Sequence, residues 1–522
     1  MTQAPVNGAS ALLQTLVHSG VDLCIANPGT SEMHLVQAMD QAPGMRPVLA
    51  LFEGVCTGAA DGYGRMLGRP AATLLHLGPG LANGIANLHN ARKAGTPLLN
   101  IVGNHPHYHM GVDAPLTSDI DTLAHNFSAW TKSCSTSGSL AQDGADAVTA
   151  TLRANPGAQG QIATLIVGAD AAWGESNGPV APNALPQRSL VDEAQINAIA
   201  TDMKVRSRIV LLLEHHAVTP GALEAASRIS SLTGARLMTS TFPARIDGGP
   251  GAVQVERMPY FPEQILATLD GTELLVLVGG QAPASFFAYQ GQASLLVPAG
   301  CRLQTLARIE DDAVDALNRL ATRLGAGQQS VRRFDTVALP KPQGSLNTRS
   351  ITQAIAACLP EGAIVATDSG GGNAAYPICQ QAAPHTWLSL TGGSIGQGGP
   401  VATGAALACP DRPVLALLGD GGAAYTIQCL WTQARENLNV TTVIYANRQY
   451  NILNAEYARL GITDPGPAAT SLFDISNPEI DWVAMAGSFG VPGAKASSAE
   501  ELCRLLERSV REPGPFLIQA QY

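Results

Sequence analysis

Three groups of residues in this chain have the type and spacing to do chemistry. In Gly419-Asp420-Gly421-Gly422 a carboxylate follows an apolar run at 414–418, and Asn447 lies just beyond a second run at 441–445. The glycines let a backbone come close to a phosphate, and an Asp carboxylate with an Asn carbonyl offers the hard oxygen ligands that magnesium takes. Far upstream, Glu53 ends the run 48–52 and opens the small-residue stretch Gly54-Val55-Cys56-Thr57-Gly58-Ala59-Ala60. A carboxylate in such surroundings loses several kcal/mol to desolvation unless it shares a proton or finds a partner. Histidines make the third group: His76 at the end of the run 71–76, and His105, His107 and His109 after the run 97–102. Imidazole titrates near neutrality and serves as acid or base. The alternate spacing of the last three, with no Cys or carboxylate close in sequence, argues against zinc and leaves proton transfer, substrate contact or a solvated loop.

The elements that must position these groups are short apolar runs alternating with helix-like segments. Runs at 21–26, 48–52, 71–76 and 97–102 are followed by runs at 208–214, 274–278 and 302–306, and then at 363–367, 414–418, 441–445 and 515–519. Such alternation predicts α/β architecture with parallel sheets. A chain of 522 residues is too long for one core. Two polar stretches containing Pro and Gly, 173–188 and 324–347, divide it into three doubly wound parallel-sheet domains at 1–172, 189–323 and 345–522. Ligands of open α/β sheets bind beyond the carboxyl ends of the strands, so Asp420 and Asn447 are expected at one edge.

Composition narrows the function classes. Hydrophobic residues make up 46% and charged residues 14%, the makeup of a packed enzyme. The net charge of -10 comes with no basic block, which argues against nucleic acid. The start, Met1-Thr2-Gln3-Ala4-Pro5-Val6-Asn7-Gly8, has no cationic stretch before an apolar core, and no run is long enough to span a membrane. A soluble, cytoplasmic protein is expected. The nine cysteines include no Cys-x-x-Cys pair and read as reduced core residues.

Gly-Asp-Gly followed by Asn447, with 25 residues between Gly421 and that Asn, resembles the cofactor motif of the thiamine diphosphate-dependent enzymes, in particular the benzoylformate decarboxylase and acetolactate synthase branch. The resemblance also takes in Asn27-Pro28-Gly29-Thr30, Glu53, Leu75-His76 and Gly392-Gly393-Ser394-Ile395-Gly396. It implies pyrimidine-binding, middle and diphosphate-binding domains, with thiamine diphosphate and Mg2+ as cofactors. Asp420, Asn447 and the backbone carbonyl of Gln449 would hold the metal. Gly419, Gly421 and Gly422 would line the diphosphate, and Asp368-Ser369-Gly370 could add backbone N–H groups. Ile395 would bend the cofactor, the Gly393 carbonyl would accept from its aminopyrimidine, and Glu53 would sit beside the pyrimidine N1′ as the activating acid–base group. Thr30 and His76 would handle the substrate carboxylate and protons.

The chain also departs from the family pattern. Ala446 stands where the family usually has a first Asn, Thr30 where benzoylformate decarboxylase has a serine, and 281–289 lacks that enzyme's second histidine. Phe286, Phe287 or Tyr289 could shape an apolar pocket there instead. The implied function is a carbon–carbon lyase or ligase acting on a small-molecule 2-oxo acid, by non-oxidative decarboxylation, acyloin carboligation of the acetolactate synthase type, or both. The alternatives are a simple decarboxylase of the benzoylformate type and a catalytically silent relative; the presence of Glu53, Asp420 and Asn447 argues against the latter. Acetolactate synthases often hold FAD in the middle domain, but no Gly-x-Gly-x-x-Gly supports one here. The resemblance further implies a homodimer or homotetramer with active sites between chains.

Overall fold

A computed structural model describes residues 6–154 and 160–522. Of the amino-terminal stretch read above, Met1 to Pro5 lie outside the described residues. The strands form parallel sheets. β1 (Leu23–Asn27), β2 (Arg46–Leu49), β3 (Ala72–Leu75), β4 (Pro97–Asn104), β5 (Trp130–Cys134) and β6 (Gln161–Gly168) lie in the order β2-β1-β3-β4-β6-β5, and every pairing is parallel. β3 and β4 are buried along their whole length. Helices cover both faces of such a sheet, so its central strands are continuously apolar rather than alternating.

β7 (Ile209–Leu213), β8 (Arg236–Thr239), β9 (Ile246–Gly248), β10 (Glu256–Arg257), β11 (Leu274–Val278) and β12 (Arg302–Ala307) belong to a compact unit at 186–336. Five of them form a parallel sheet in the order β10-β8-β7-β11-β12 around a core of Val210, Leu212, Met238, Leu275 and Leu277. β13 (Ala363–Thr367), β14 (His385–Leu388), β15 (Val414–Gly419), β16 (Val440–Ala446), β17 (Gly493–Ala496) and β18 (Phe516–Gln521) follow in the order β17-β18-β16-β15-β13-β14. This sheet and the first belong to one compact unit.

Strand order locates the binding edges. The first sheet reverses direction of winding between β1 and β3, and the last between β13 and β15. At such a switch point the connections leave to opposite sides and open a crevice at the carboxyl ends. Thr30 and His76 flank the first crevice, while Asp368 and Asp420 flank the second.

Two glycine-bearing helices join these sheets. Helix Glu53–Leu67 packs on helix Gly398–Ala408 so closely that a Cβ on Gly62 would lie 2.1 Å from the Val401 carbonyl oxygen, and one on Gly404 1.8 Å from that of Ala59. Small residues permit that backbone approach, which places Glu53 at the start of a rigidly held helix. β2 ends at Leu49, earlier than the run 48–52 predicts. Leu51 is exposed and the extended Phe52 serves as N-cap, so these two apolar residues form the turn into the helix. Among the described residues, no helix is long and apolar enough to cross a membrane.

Candidate active site

β15 and β16 are parallel neighbours with Gly419 opposite Tyr445, so Asp420 and Asn447 leave the sheet at one edge. Asp420 is buried; its Oδ1 accepts from the Gly421 N–H at 2.8 Å and its Oδ2 from the Arg448 N–H at 2.5 Å. Burial pushes the Asp420 carboxyl up, and these donors offset the push only in part. Arg448 takes a left-handed φ of 58°, the turn that aims its N–H back at Asp420. Asn447 is half-buried and its Oδ1 accepts from the N–H of the exposed Gln449 at 3.2 Å. Gly421 has no space for a side chain, because a Cβ would lie 2.3 Å from the Tyr450 ring. A desolvated carboxylate beside an amide oxygen is a donor set that fits a hard divalent cation.

Loop 392–399 approaches this edge from β14. Asp368, at the end of β13, holds the loop: its Oδ2 accepts from the N–H groups of Gly396 at 2.9 Å and Gly398 at 3.1 Å. Full burial raises its carboxyl to about 6, and its Oδ1 is buried without a hydrogen-bond partner among the described residues. On the other side, Asn90 donates to the Ser394 carbonyl at 2.8 Å, and His89 Nε2 lies 3.0 Å from the Gly392 carbonyl. Gly393 has a φ of 77°, open to glycine and costly for other residues. Ile395 is half-buried rather than a core residue, leaving an apolar surface free. Ser369 caps helix Gly370–Cys379 by accepting from the Gly372 N–H, so that helix start is already satisfied in part by its own side chain.

The first sheet carries the other expected residues. Glu53 opens its helix half-buried, not enclosed as the apolar run predicts, and its Oε2 accepts from Asn83 Nδ2 at 3.0 Å. The reason is the early end of β2, which brings Glu53 out toward helix Leu77–Ala94. Thr30 is exposed at the start of a 3-10 turn. His76 sits at the end of β3 with its Nδ1 2.8 Å from Glu32 Oε2, which also accepts from the Gly29 N–H at 2.7 Å. Phe286 and Phe287, in the unit at 186–336, belong to an aromatic cluster with Phe242, Tyr260 and Phe261.

Residues 6–125 match the family model described as thiamine pyrophosphate enzyme, N-terminal TPP binding domain, and residues 370–520 match the C-terminal TPP binding domain. The chain is 48% identical, over 98% of each sequence, to the Mycobacterium tuberculosis protein IlvX, whose name assigns it provisionally to acetolactate synthase large subunits. This chain belongs to the thiamine pyrophosphate enzymes. It is 27% identical to benzoylformate decarboxylase of Pseudomonas aeruginosa over 98% of each chain. Its fold is shared with a thiamine diphosphate-dependent 4-hydroxybenzoylformate decarboxylase of Rhodococcus jostii RHA1, with a TM-score of 0.84 and 23% identity over 99% of each chain.

For a thiamine pyrophosphate enzyme, three features of this site go beyond the sequence pattern. Glu32 is fully buried and holds His76; the carboxylate of Asp368 itself, rather than neighbouring N–H groups, organises the loop of Gly393 and Ile395. Third, a buried pair of Asp61 and Arg65 ties the helix of Glu53 to that loop. Arg65 donates to the Ser389 carbonyl at 2.7 Å and to Thr391 Oγ1 at 3.0 Å, and Gln397 Nε2 donates to Asp61 at 3.0 Å. The i, i+4 spacing of Asp61 and Arg65 in a small-residue helix is the one signal the sequence offered for the pair.

Proposed function

We propose that this enzyme cleaves carbon dioxide from a 2-oxo acid and joins the remaining acyl unit to a second carbonyl compound, as the name of the 48% identical relative suggests. The observation that carries the reading is that one chain presents both halves of the expected set: Glu53 at the half-open start of its helix, and Asp420 with Asn447 beyond β15 and β16. Bound thiamine diphosphate supplies an electron sink for the carbon–carbon bond that breaks. Asp420, Asn447 and the Gln449 carbonyl would hold Mg2+ and with it the diphosphate, which Gly419, Gly421 and Gly422 would line. The Gly393 carbonyl would accept from the aminopyrimidine, the half-buried Ile395 side chain would support the cofactor, and Glu53 would serve as the acid–base group at N1′. Thr30 and His76 face the substrate. The partial exposure of Glu53 supports a cofactor shared between chains, hence a homodimer or homotetramer. The free cysteines support work in the reducing cytoplasm.

A simple decarboxylase is the second reading, favoured by His76, whose Nδ1 is anchored on Glu32 so that its Nε2 is left to exchange a proton with substrate. Mass spectrometry of products from a panel of 2-oxo acids, with and without added aldehydes, separates the two: acyloins support the first reading and aldehydes alone the second. Glu53→Gln is expected to cut turnover by about 10²- to 10⁴-fold while calorimetry still detects thiamine diphosphate binding. Wild-type turnover in that variant removes Glu53 from the mechanism.

A further inference from the structure

β3 and β4 are parallel neighbours with Leu75 opposite Val102, so the residues that follow them, His76 and the stretch ending in His105, emerge at one edge beside the first switch point. The ring of His105 lies edge-on to His109, with centroids 5.1 Å apart. Its Nε2 is buried and, among the described residues, has no hydrogen-bond partner, a state that costs stability unless something completes it. Burial first, and then the charges of His109 and His76, hold the His105 imidazolium below the ordinary histidine range. Other ionisable groups close the edge. Glu32 packs so tightly on Gly103 that a Cβ there would lie 1.7 Å from Oε1, and Asp170 accepts from the His107 N–H at 3.1 Å.

The two imidazoles therefore differ in kind. His76 has Nδ1 committed to a buried carboxylate, whereas His105 has a buried, unpartnered Nε2 and surroundings that disfavour its imidazolium. Neighbouring titratable groups in opposed environments mark a division of acid and base roles. We propose that His105 is a second catalytic imidazole, the base that works opposite His76 on the 2-oxo acid, and that His109 connects it to solvent. The proposal rests on the 2-oxo acid reading above. Two protons enter and one leaves. The substrate's ketone oxygen takes the first from His76 Nε2 as the carbonyl carbon is attacked, and His76 regains it from water; after carbon dioxide departs, the carbon that carried it, or the oxygen of the second carbonyl compound, takes the second from water. His105 Nε2 accepts the hydroxyl proton when the product carbonyl forms and passes it by His109 to water, so that each turnover consumes one proton, as the loss of carbon dioxide from a carboxylate requires. The 281–289 stretch contains no histidine, so both imidazoles come from adjacent strands of one sheet.

Histidine Cε1 hydrogen–deuterium exchange, read by mass spectrometry across pH, tests the arrangement without turnover. The His105 midpoint should fall below that of a histidine in an unfolded peptide and rise in His109→Gln and His76→Gln. In kinetics, His105→Gln should lower kcat by about 10²-fold, leave KM within about threefold, and abolish the acid limb of the pH profile; His109→Gln should move that limb to higher pH. A His105 midpoint equal to that of a histidine in an unfolded peptide, or a wild-type profile in His105→Gln, overturns the proposal. Should His105→Gln not fold, the limb in His109→Gln decides. A wild-type enzyme that releases no carbon dioxide from any acid sinks the reaction and this role together. Normal release with an unmoved midpoint sinks this role alone.

Discussion

Glu32 Oε2 lies 2.8 Å from His76 Nδ1, and the same oxygen accepts from the Gly29 N–H, so one buried carboxylate fixes both the turn after β1 and the ring after β3. An imidazole held this way keeps its proton on Nδ1 and presents Nε2. Glu32→Ala leaves two donors unpaired and frees the ring. It should lower kcat by about 10- to 100-fold, as loss of an orienting partner does elsewhere, and cost about 1–3 kcal/mol in urea unfolding. Glu32→Gln keeps an acceptor oxygen and should recover most of the stability but less of the rate. Steady-state kinetics beside urea titration separates the two effects.

Asp368 carries a second prediction, with a sign opposite to that of most carboxylates. Its carboxyl is raised to about 6, above the unfolded range, so between the two values the folded protein binds more protons than the unfolded chain. Stability from this group is therefore highest below the unfolded pKa and falls as pH rises toward 6, by at most about 3 kcal/mol. Asp368→Asn imitates the protonated form and retains an acceptor for Gly396 and Gly398. Urea midpoints across pH should show that decline in the wild type and a flatter curve in the variant. A wild-type slope in Asp368→Asn removes the group as its source.

How much of this was legible beforehand follows from range. The runs 363–367 and 414–418 are continuously apolar because both faces of their sheet are covered, and they fall almost residue for residue on β13 and β15. The edge shared by Asp420 and Asn447 follows from those strands alone. Glu32 gave no such signal: its partner is 44 residues away, and only the parallel pairing of β1 with β3 brings them together. Asp368 sat in a glycine-rich segment that drew attention to N–H groups, while its carboxylate serves a loop 28 residues on. The edge strand β5, Trp-Thr-Lys-Ser-Cys, is half polar and escaped notice, since an edge is only partly covered. Leu51 and Phe52 extended a strand in sequence that ends at Leu49, because apolar character does not distinguish a strand end from a cap.

Metal dependence gives the third prediction. Burial pushes the Asp420 carboxyl up, and only its ionised form can bind a cation. Affinity for Mg2+ with thiamine diphosphate should therefore weaken on acidification at a higher pH than for an exposed Asp, a shift readable by calorimetry. Dialysis against a chelator should abolish turnover and added Mg2+ should restore it. Asp420→Ala should lose both responses, and full activity in chelator would reject the metal assignment.

The Asp61–Arg65 pair supports the last prediction. Both side chains are buried, and the pair is held by Thr96, Gln397, Ser389 and Thr391 as well as by its own two hydrogen bonds. Removing one member strands the other charge in the interior, so Arg65→Met should cost about 3–5 kcal/mol. An isolated pair could be exchanged for two apolar residues at little cost. Here the exchange cannot be neutral, because Thr96, Gln397 and the Ser389 carbonyl would each lose a partner. Asp61→Leu with Arg65→Met should therefore recover only part of the stability lost in Arg65→Met. Loop 389–397 hangs on this network and carries Gly393 and Ile395, so the double variant should also bind thiamine diphosphate more weakly. A double variant as stable as the wild type, with unchanged cofactor affinity by calorimetry, would mean that the helix packing through Gly62 and Gly404 alone positions the loop.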